Sequence, residues 1–165
     1  MKKIINVLVI LIGLTMFNAK AGIINSFELP NINDATPSDG LILWNMLDEF
    51  QGRMVAFELM MTWRDQGWGN RKGRVFYQIN DFDPVYLDLA EHNLTSETFS
   101  IQDITAPAGS VLRLYYTVGG GGGHRLLISD ASISITSVPE PSTLALFGLV
   151  LAGAAFGRRK FKATK

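Results

Sequence analysis

The residues that most restrict what this chain can fold into lie in its middle. Val55, Phe57, Leu59, Met61 and Trp63 recur at every second position, as do Val75, Tyr77 and Ile79. Leu112, Leu114, Tyr116 and Val118 alternate with Val111, Arg113, Tyr115 and Thr117, and Ala131, Ile133 and Ile135 alternate with Asp130, Ser132 and Ser134. Successive side chains of a strand point to opposite faces, so each run has one apolar face to bury and one to leave in water. Further runs at 23–29, 41–47, 85–89 and 97–101 bring the expectation to about eight strands, separated by Gly, Pro, Asn and Asp clusters. The only helical element expected between them is a short turn at Asp48–Gln51. One-faced strands must bury their apolar sides against each other. The expected fold is therefore all-β, an antiparallel two-sheet sandwich of jelly-roll type.

The two ends are different in kind. Lys2 and Lys3 precede an apolar run from Ile4 to Phe17, and Ala19-Lys20-Ala21 fits an A-x-A cleavage site. Residues 1–21 thus read as a signal peptide, cut after Ala21 so that the mature chain starts at Gly22. Toward the other end, Pro139 and Pro141 each fix φ and lack an N–H, which holds 138–141 extended. Ser142 is a natural N-cap for the apolar helix expected over 143–157. Leu144 to Phe156 carries no charge in thirteen residues, about 20 Å of helix. That is short for a bilayer, but Arg158, Arg159 and Lys160 can snorkel to the far interface. A basic end at 158–165 places the C-terminus in the cytoplasm and residues 22–138 outside. The expected domains are 1–21, 22–137 and 138–165.

Val138-Pro139-Glu140-Pro141-Ser142, then an apolar helix, then Arg158-Arg159-Lys160, resembles the PEP-CTERM sorting signal of Gram-negative bacteria. The resemblance covers residues 138 to about 162. It implies an exosortase-type sorting enzyme as partner, with Pro139, Glu140 and Pro141 as the motif near which that enzyme cuts. It also implies export, transient anchoring in the inner membrane through the C-terminal helix, and a destination at the cell surface or extracellular matrix. It gives the chain an address and leaves the role of residues 22–137 open.

Charge becomes informative once the ends are set aside. The whole chain balances 15 Lys+Arg against 15 Asp+Glu. Eight of the basic residues (Lys2, Lys3, Lys20, Arg158, Arg159, Lys160, Lys162 and Lys165) lie in the terminal segments, with Glu140 alone on the acidic side. Residues 22–138 keep 7 basic and 14 acidic side chains, a net of −7. Nucleic acid is excluded as a partner, because phosphate contact needs a basic footprint. The chain has no cysteine, which rules out disulfides, thiolate metal sites and cysteine nucleophiles.

The most distinctive loop is 64–73, Arg-Asp-Gln-Gly-Trp-Gly-Asn-Arg-Lys-Gly. An aromatic face beside planar polar groups suits a sugar, whose CH groups stack on the ring while its hydroxyls meet amides and carboxylates. The loop resembles the Gly-Trp loops of galactose-binding-like and other carbohydrate-binding jelly rolls. That resemblance implies exopolysaccharide as a partner, with Trp63, Asp65, Gln66, Trp68, Asn70 and Arg71 as its contacts. The competing expectation is a structural hairpin, in which Trp68 folds back as a core plug and Asp65 bonds to loop amides. Gly119–Gly123, followed by His124, reads as a flexible hairpin connection, since no P-loop Lys-Ser/Thr follows.

Asp81, Asp83 and Asp88, with Glu91 nearby, could gather round calcium, the one cofactor the sequence suggests. The EF-hand spacing fails, because His92 stands where a terminal Glu is needed. For catalysis, Asp65 with Glu58 or Asp83 could serve as a glycosidase pair, but nothing in the spacing selects either. There is no G-x-S-x-G elbow, no H-E-x-x-H and no triad. The expectation is a non-catalytic, polysaccharide-contacting domain. A structural or adhesive matrix protein without a defined ligand is the alternative, and a small polysaccharide hydrolase ranks third.

Overall fold

The computed structural model describes residues 22–48, 50–120 and 122–139. The signal-peptide, cleavage-site, apolar-helix and basic-end expectations fall outside them, as do Glu140 and Pro141. Lys20–Pro139 clusters as one compact unit. Among the described residues every regular element is a strand, and no helix is long and apolar enough to cross a membrane.

Nine strands follow in order: β1 (Ile23–Glu28), β2 (Ile32–Asp34), β3 (Ile42–Leu47), β4 (Arg53–Arg64), β5 (Arg74–Ile79), β6 (Val85–Leu89), β7 (Thr95–Ile101), β8 (Leu112–Thr117) and β9 (Leu126–Val138). All eight expected strands are present. The ninth, β2, is three residues long and ends in Asn33 and Asp34, too short for alternation to register. Asp48, Phe50 and Gln51 are not helical. Phe50 is buried there, and the segment serves as a tight crossing between the two sheets.

One sheet runs β1-β9-β4-β7, with β2 also paired to β9, and the other runs β3-β8-β5-β6. Every pairing is antiparallel. β1 pairs with Ser132–Ser137 of β9 and β2 with Leu126–Ile128. The two together make one broken edge strand. Trp44 marks the break, donating its indole N–H to the Pro30 carbonyl at 2.8 Å. Counting β1 and β2 as one strand gives eight, and the orders match a jelly roll: β2 and β3, β9 and β8, β4 and β5, and β7 and β6 occupy corresponding places in the two sheets. Residues 35–41, 118–125, 65–73 and 90–94 therefore cross from sheet to sheet side by side at one end.

The core lies between the sheets. Phe57, Leu59, Met61 and Trp63 of β4 face Val75 of β5, Leu112 and Leu114 of β8, and Ile133 and Ile135 of β9, all essentially inaccessible. Edge-to-face ring pairs reinforce it, Phe57 on Tyr77 at 5.1 Å and Trp63 on Phe99 at 6.1 Å. Each such side chain contributes about 1.5–3 kcal/mol by leaving water.

Two register shifts correct the simple alternation. A bulge between Met54 and Ala56 turns both inward and leaves Val55 half-buried on the outer side. A second, where Met60 and Thr62 face Ser132 and Ser129, is absorbed by Asp130 at φ 49°. It shifts the inward positions from Leu126 and Ile128 to Ala131, Ile133 and Ile135. One extra residue reverses the parity of everything beyond it.

Candidate functional site

The four side-by-side crossings form a continuous end to the sandwich, and the 64–73 loop stands in the middle of it. Neither this loop nor the glycine run is a hairpin. Each joins strands of opposite sheets.

The loop is held by Asp65, which is 1% exposed. Its Oδ1 accepts the Gln66 N–H at 2.6 Å, and its Oδ2 accepts the N–H groups of Lys72 at 2.5 Å and Gly73 at 3.4 Å. One carboxylate thus closes both ends of the loop, and its own N–H donates to the Glu91 carbonyl at 2.8 Å. Gln66 braces the tip, with Nε2 donating to the carbonyls of Trp68 at 2.7 Å and Asn70 at 3.0 Å. His92 adds a contact from the neighbouring crossing, Nε2 to the Gly69 carbonyl at 3.1 Å. Arg71 is ion-paired with Glu91.

Trp68 is left 62% exposed. Its six-membered ring lies against Gly123, where a Cβ would stand 2.9 Å from Cη2 and 3.0 Å from Cζ2. Gly123 also has φ +88°, a region side-chain-bearing residues avoid. The glycine run is thus a bed for the tryptophan loop. Lys72 Nζ donates to the Gly120 carbonyl at 3.2 Å. The Gly120 N–H in turn donates to Asp39 Oδ1 at 2.5 Å, tying in the fourth crossing.

The structure sorts the six residues nominated for a sugar. Trp68 and Asn70 are exposed at the tip. Gln66 and Arg71 are half-buried and occupied in holding the loop. Trp63 and Asp65 are corrections. Trp63 is 0% exposed, in phase with Phe57, Leu59 and Met61, and its ring belongs to the core. Asp65 spends its oxygens on backbone N–H groups. The core-plug expectation for Trp68 fails as well, while the Asp65 part of the structural reading holds.

The calcium expectation is also corrected. Among the described residues no three His, Cys, Asp or Glu side chains come together as a metal site. Asp81 is in the β5–β6 turn, 3.8 Å from the Arg113 guanidinium. Asp88 lies five residues beyond Asp83, about 16 Å along an extended strand. Glu58 sits on the outer face of its sheet and accepts a hydrogen bond from Ser100 at 3.0 Å. Asp65 is seven residues farther along the chain, just past the end of β4 and about 23 Å away, and Asp83 is in a turn of the other sheet.

Sequence reasoning missed a groove of about 650 Å³ on the outer face of the β1-β9-β4-β7 sheet, near the start of β4. Arg53, Glu58, Gln102, Asp103, Thr105, Ser134 and Thr136 line it, with Ile24, Val55 and Ile104 as apolar walls. The signal was present only in the Ser/Thr character of the outward positions, which is common on solvated sheet faces.

At the far end of β9, Ser137 is fully buried and its hydroxyl donates to the Gln51 carbonyl. The chain leaves the sandwich one residue later, at Val138, which pairs with Arg53. Residues 137–160, starting at this exit, match the PEP-CTERM protein-sorting motif. The chain thus carries a PEP-CTERM sorting motif over 24 of its 165 residues. The motif implies recognition by an exosortase-type sorting enzyme, and with it export and a transient membrane stage through the C-terminal region. Comparison with curated proteins finds no match to this chain. Among solved structures, it is similar to a family two carbohydrate esterase from Cellvibrio japonicus, with a TM-score of 0.32 and 9% identity. The similarity covers 72% of this chain and 36% of the esterase, so the chain spans about a third of that protein's length.

Proposed function

We propose that the sandwich is a non-catalytic polysaccharide-contacting domain that the sorting motif delivers to the cell surface or extracellular matrix, with Trp68 as its anchor. The observation that carries this reading is a large aromatic side chain kept in water by a rigid mount. A tryptophan free to move would fold onto apolar surface. This one is held outward by the Asp65 clamp, the Gln66 brace and the Gly123 bed. Exposed, pre-positioned aromatic faces give contact area with little ordering cost, and Trp is the side chain most enriched where binding energy concentrates. The Asn70 amide, also exposed, supplies a donor and an acceptor beside it.

The test is equilibrium binding of the purified protein to the producing cell's exopolysaccharide, with Trp68→Ala alongside. Saturable binding that a still-folded Trp68→Ala variant loses by about tenfold or more is the expected result. Undiminished binding in the variant, or none by the parent, sinks the proposal.

A second reading rests on a different observation. Leu43, Tyr115, Phe76 and Tyr86 are register partners across all four strands of the β3-β8-β5-β6 sheet, on its outer face. Leu43 and Tyr86 are about half exposed, and Phe76 and Tyr86 meet edge to face at 5.6 Å. Such a row favours a structural, adhesive role. It predicts concentration-dependent self-association that Tyr86→Ser weakens and Trp68→Ala leaves alone.

A further inference from the structure

The net charge of −7 hides a strong asymmetry. Residues 33–41, 64–74, 90–94 and 118–125 make up the end of the sandwich that carries Trp68. They hold five of the seven basic residues of 22–138 (Arg64, Arg71, Lys72, Arg74 and Arg125) and both histidines, His92 and His124. Against these stand four carboxylates, Asp34, Asp39, Asp65 and Glu91. The rest of 22–138 has two basic residues, Arg53 and Arg113, against ten acidic ones.

All four carboxylates at this end are engaged within the protein. Asp65 is buried against backbone N–H groups. Asp34 accepts from the Thr36 N–H at 2.8 Å and the Tyr116 hydroxyl at 2.9 Å. Asp39 accepts from Gly120, and Glu91 is paired with Arg71. The cations are not so matched. Among the described residues, Arg64, Lys72, Arg74 and Arg125 have no carboxylate oxygen within 4.0 Å. Lys72 donates to a carbonyl and Arg125 Nε to the Asn33 side chain at 2.7 Å, both neutral acceptors. Arg64 and Arg74 are exposed and flank the tryptophan loop at its two strand ends, one on each sheet.

From this charge complementarity we infer that the occupant is an anionic polysaccharide, bearing carboxylate or sulfate groups. This inference rests on the polysaccharide reading of Trp68 and adds the class of sugar. The indole takes the apolar face of a ring, and Arg64 and Arg74 meet its acidic substituents or those of the next residues along the chain. The acidic remainder of the surface repels the same polymer, so it approaches by one end.

The test uses the full-length protein with three probes of matched length: polygalacturonate, dextran sulfate and neutral dextran. The Arg64→Gln/Arg74→Gln variant is measured beside the charge-preserving Arg64→Lys/Arg74→Lys variant. Either anionic probe should bind at least about tenfold more tightly than dextran, with the advantage shrinking as NaCl rises past about 0.1 M, where the screening length is near 10 Å. The Gln variant should lose most of that advantage and the Lys variant should keep it. A preference for one anionic probe over the other identifies the acidic group. Equal binding of all three probes, unaffected by the Gln substitutions, overturns the inference while leaving the polysaccharide reading intact. Absence of binding to every probe and to the native exopolysaccharide overturns both.

Discussion

The two ends of this sandwich are built from the same strands and carry contrasting features. At the loop end, four crossings lie side by side, cations outnumber carboxylates, and a tryptophan is propped into water. At the exit end, Ser137 is buried, Gly52 turns under the last strand, and β9 hands the chain directly to the sorting motif. β9 spans thirteen residues, about 40 Å, so Trp68 and the start of the sorting motif lie at opposite ends of the domain. The groove near Arg53 and Glu58 lies toward the exit end. Several of the outward hydroxyls are already used across strands, Ser26 with Ser134 at 3.0 Å and Thr62 with Ser96 at 2.8 Å.

Two tryptophans five residues apart give the sharpest way to break this comparison. Trp63→Ala empties a fully buried site and should cost about 3–5 kcal/mol in urea denaturation. Trp68→Ala should not.

Asp65→Ala strips the loop of the acceptor for three backbone N–H groups. A loss of about 1–3 kcal/mol is expected, with glycan binding reduced in proportion to the loop's disorder. If stability holds while hydrogen exchange at Lys72 and Gly73 is unchanged, the clamp is not what mounts Trp68.

Gly52→Ala probes the other end. Gly52 has φ +81°, and a Cβ there would stand 2.6 Å from the Val138 carbonyl oxygen, a backbone atom that cannot swing aside. About 1–3 kcal/mol should be lost, and exchange of the Ser137 and Val138 amides should accelerate while the Trp68 loop keeps its protection. Glycan binding that falls with it would mean the two ends are coupled.

A smaller effect is expected from alkali. Burial, with help from the Asp34 carboxylate it bonds, pushes the Tyr116 hydroxyl up to about 12. The folded chain keeps that proton where the unfolded chain, near the ordinary value of about 10, has given it up. Tyr116 therefore stabilises the fold in full below about pH 10, and its contribution is lost as pH rises toward 12. Denaturation midpoints at pH 9 and 11 should differ by less in Tyr116→Phe than in the parent. The partner group behaves in the opposite sense. The Thr36 N–H holds the Asp34 carboxyl below its usual value, so its contribution is present near neutrality and fades as acid protonates it.

The smallest stability change belongs to Trp68→Ala, within about 0.5 kcal/mol. Its effect should appear in binding alone. A large loss of stability instead would make the residue part of the fold and erase the contrast with Trp63.

Much of the architecture was legible because half-buried strands write their burial in period two. Parity alone puts Trp63 with Phe57, Leu59 and Met61 on the inner face, so its burial could have been read without coordinates. The first half of β9 could not, because the bulge at Ser129–Asp130 reverses parity and makes Leu126 and Ile128 look out of phase with Ile133 and Ile135. β2 is too short and polar to carry a pattern. Asp81, Asp83 and Asp88 are near in sequence without forming a three-carboxylate site, because an extended strand separates residues faster than any other element.

The sequence by itself determined the strand content, the sandwich and the sorting address. These depend on local periodicity and on a contiguous motif, which any chain with those residues carries wherever it folds. Only the tertiary structure decided that Trp68 faces water, that Gly123 rather than the core receives its ring, and that five cations scattered between Arg64 and Arg125 share one end. Those facts depend on which crossings lie side by side. That follows from the order of strands in two sheets, a long-range property that composition and spacing do not encode.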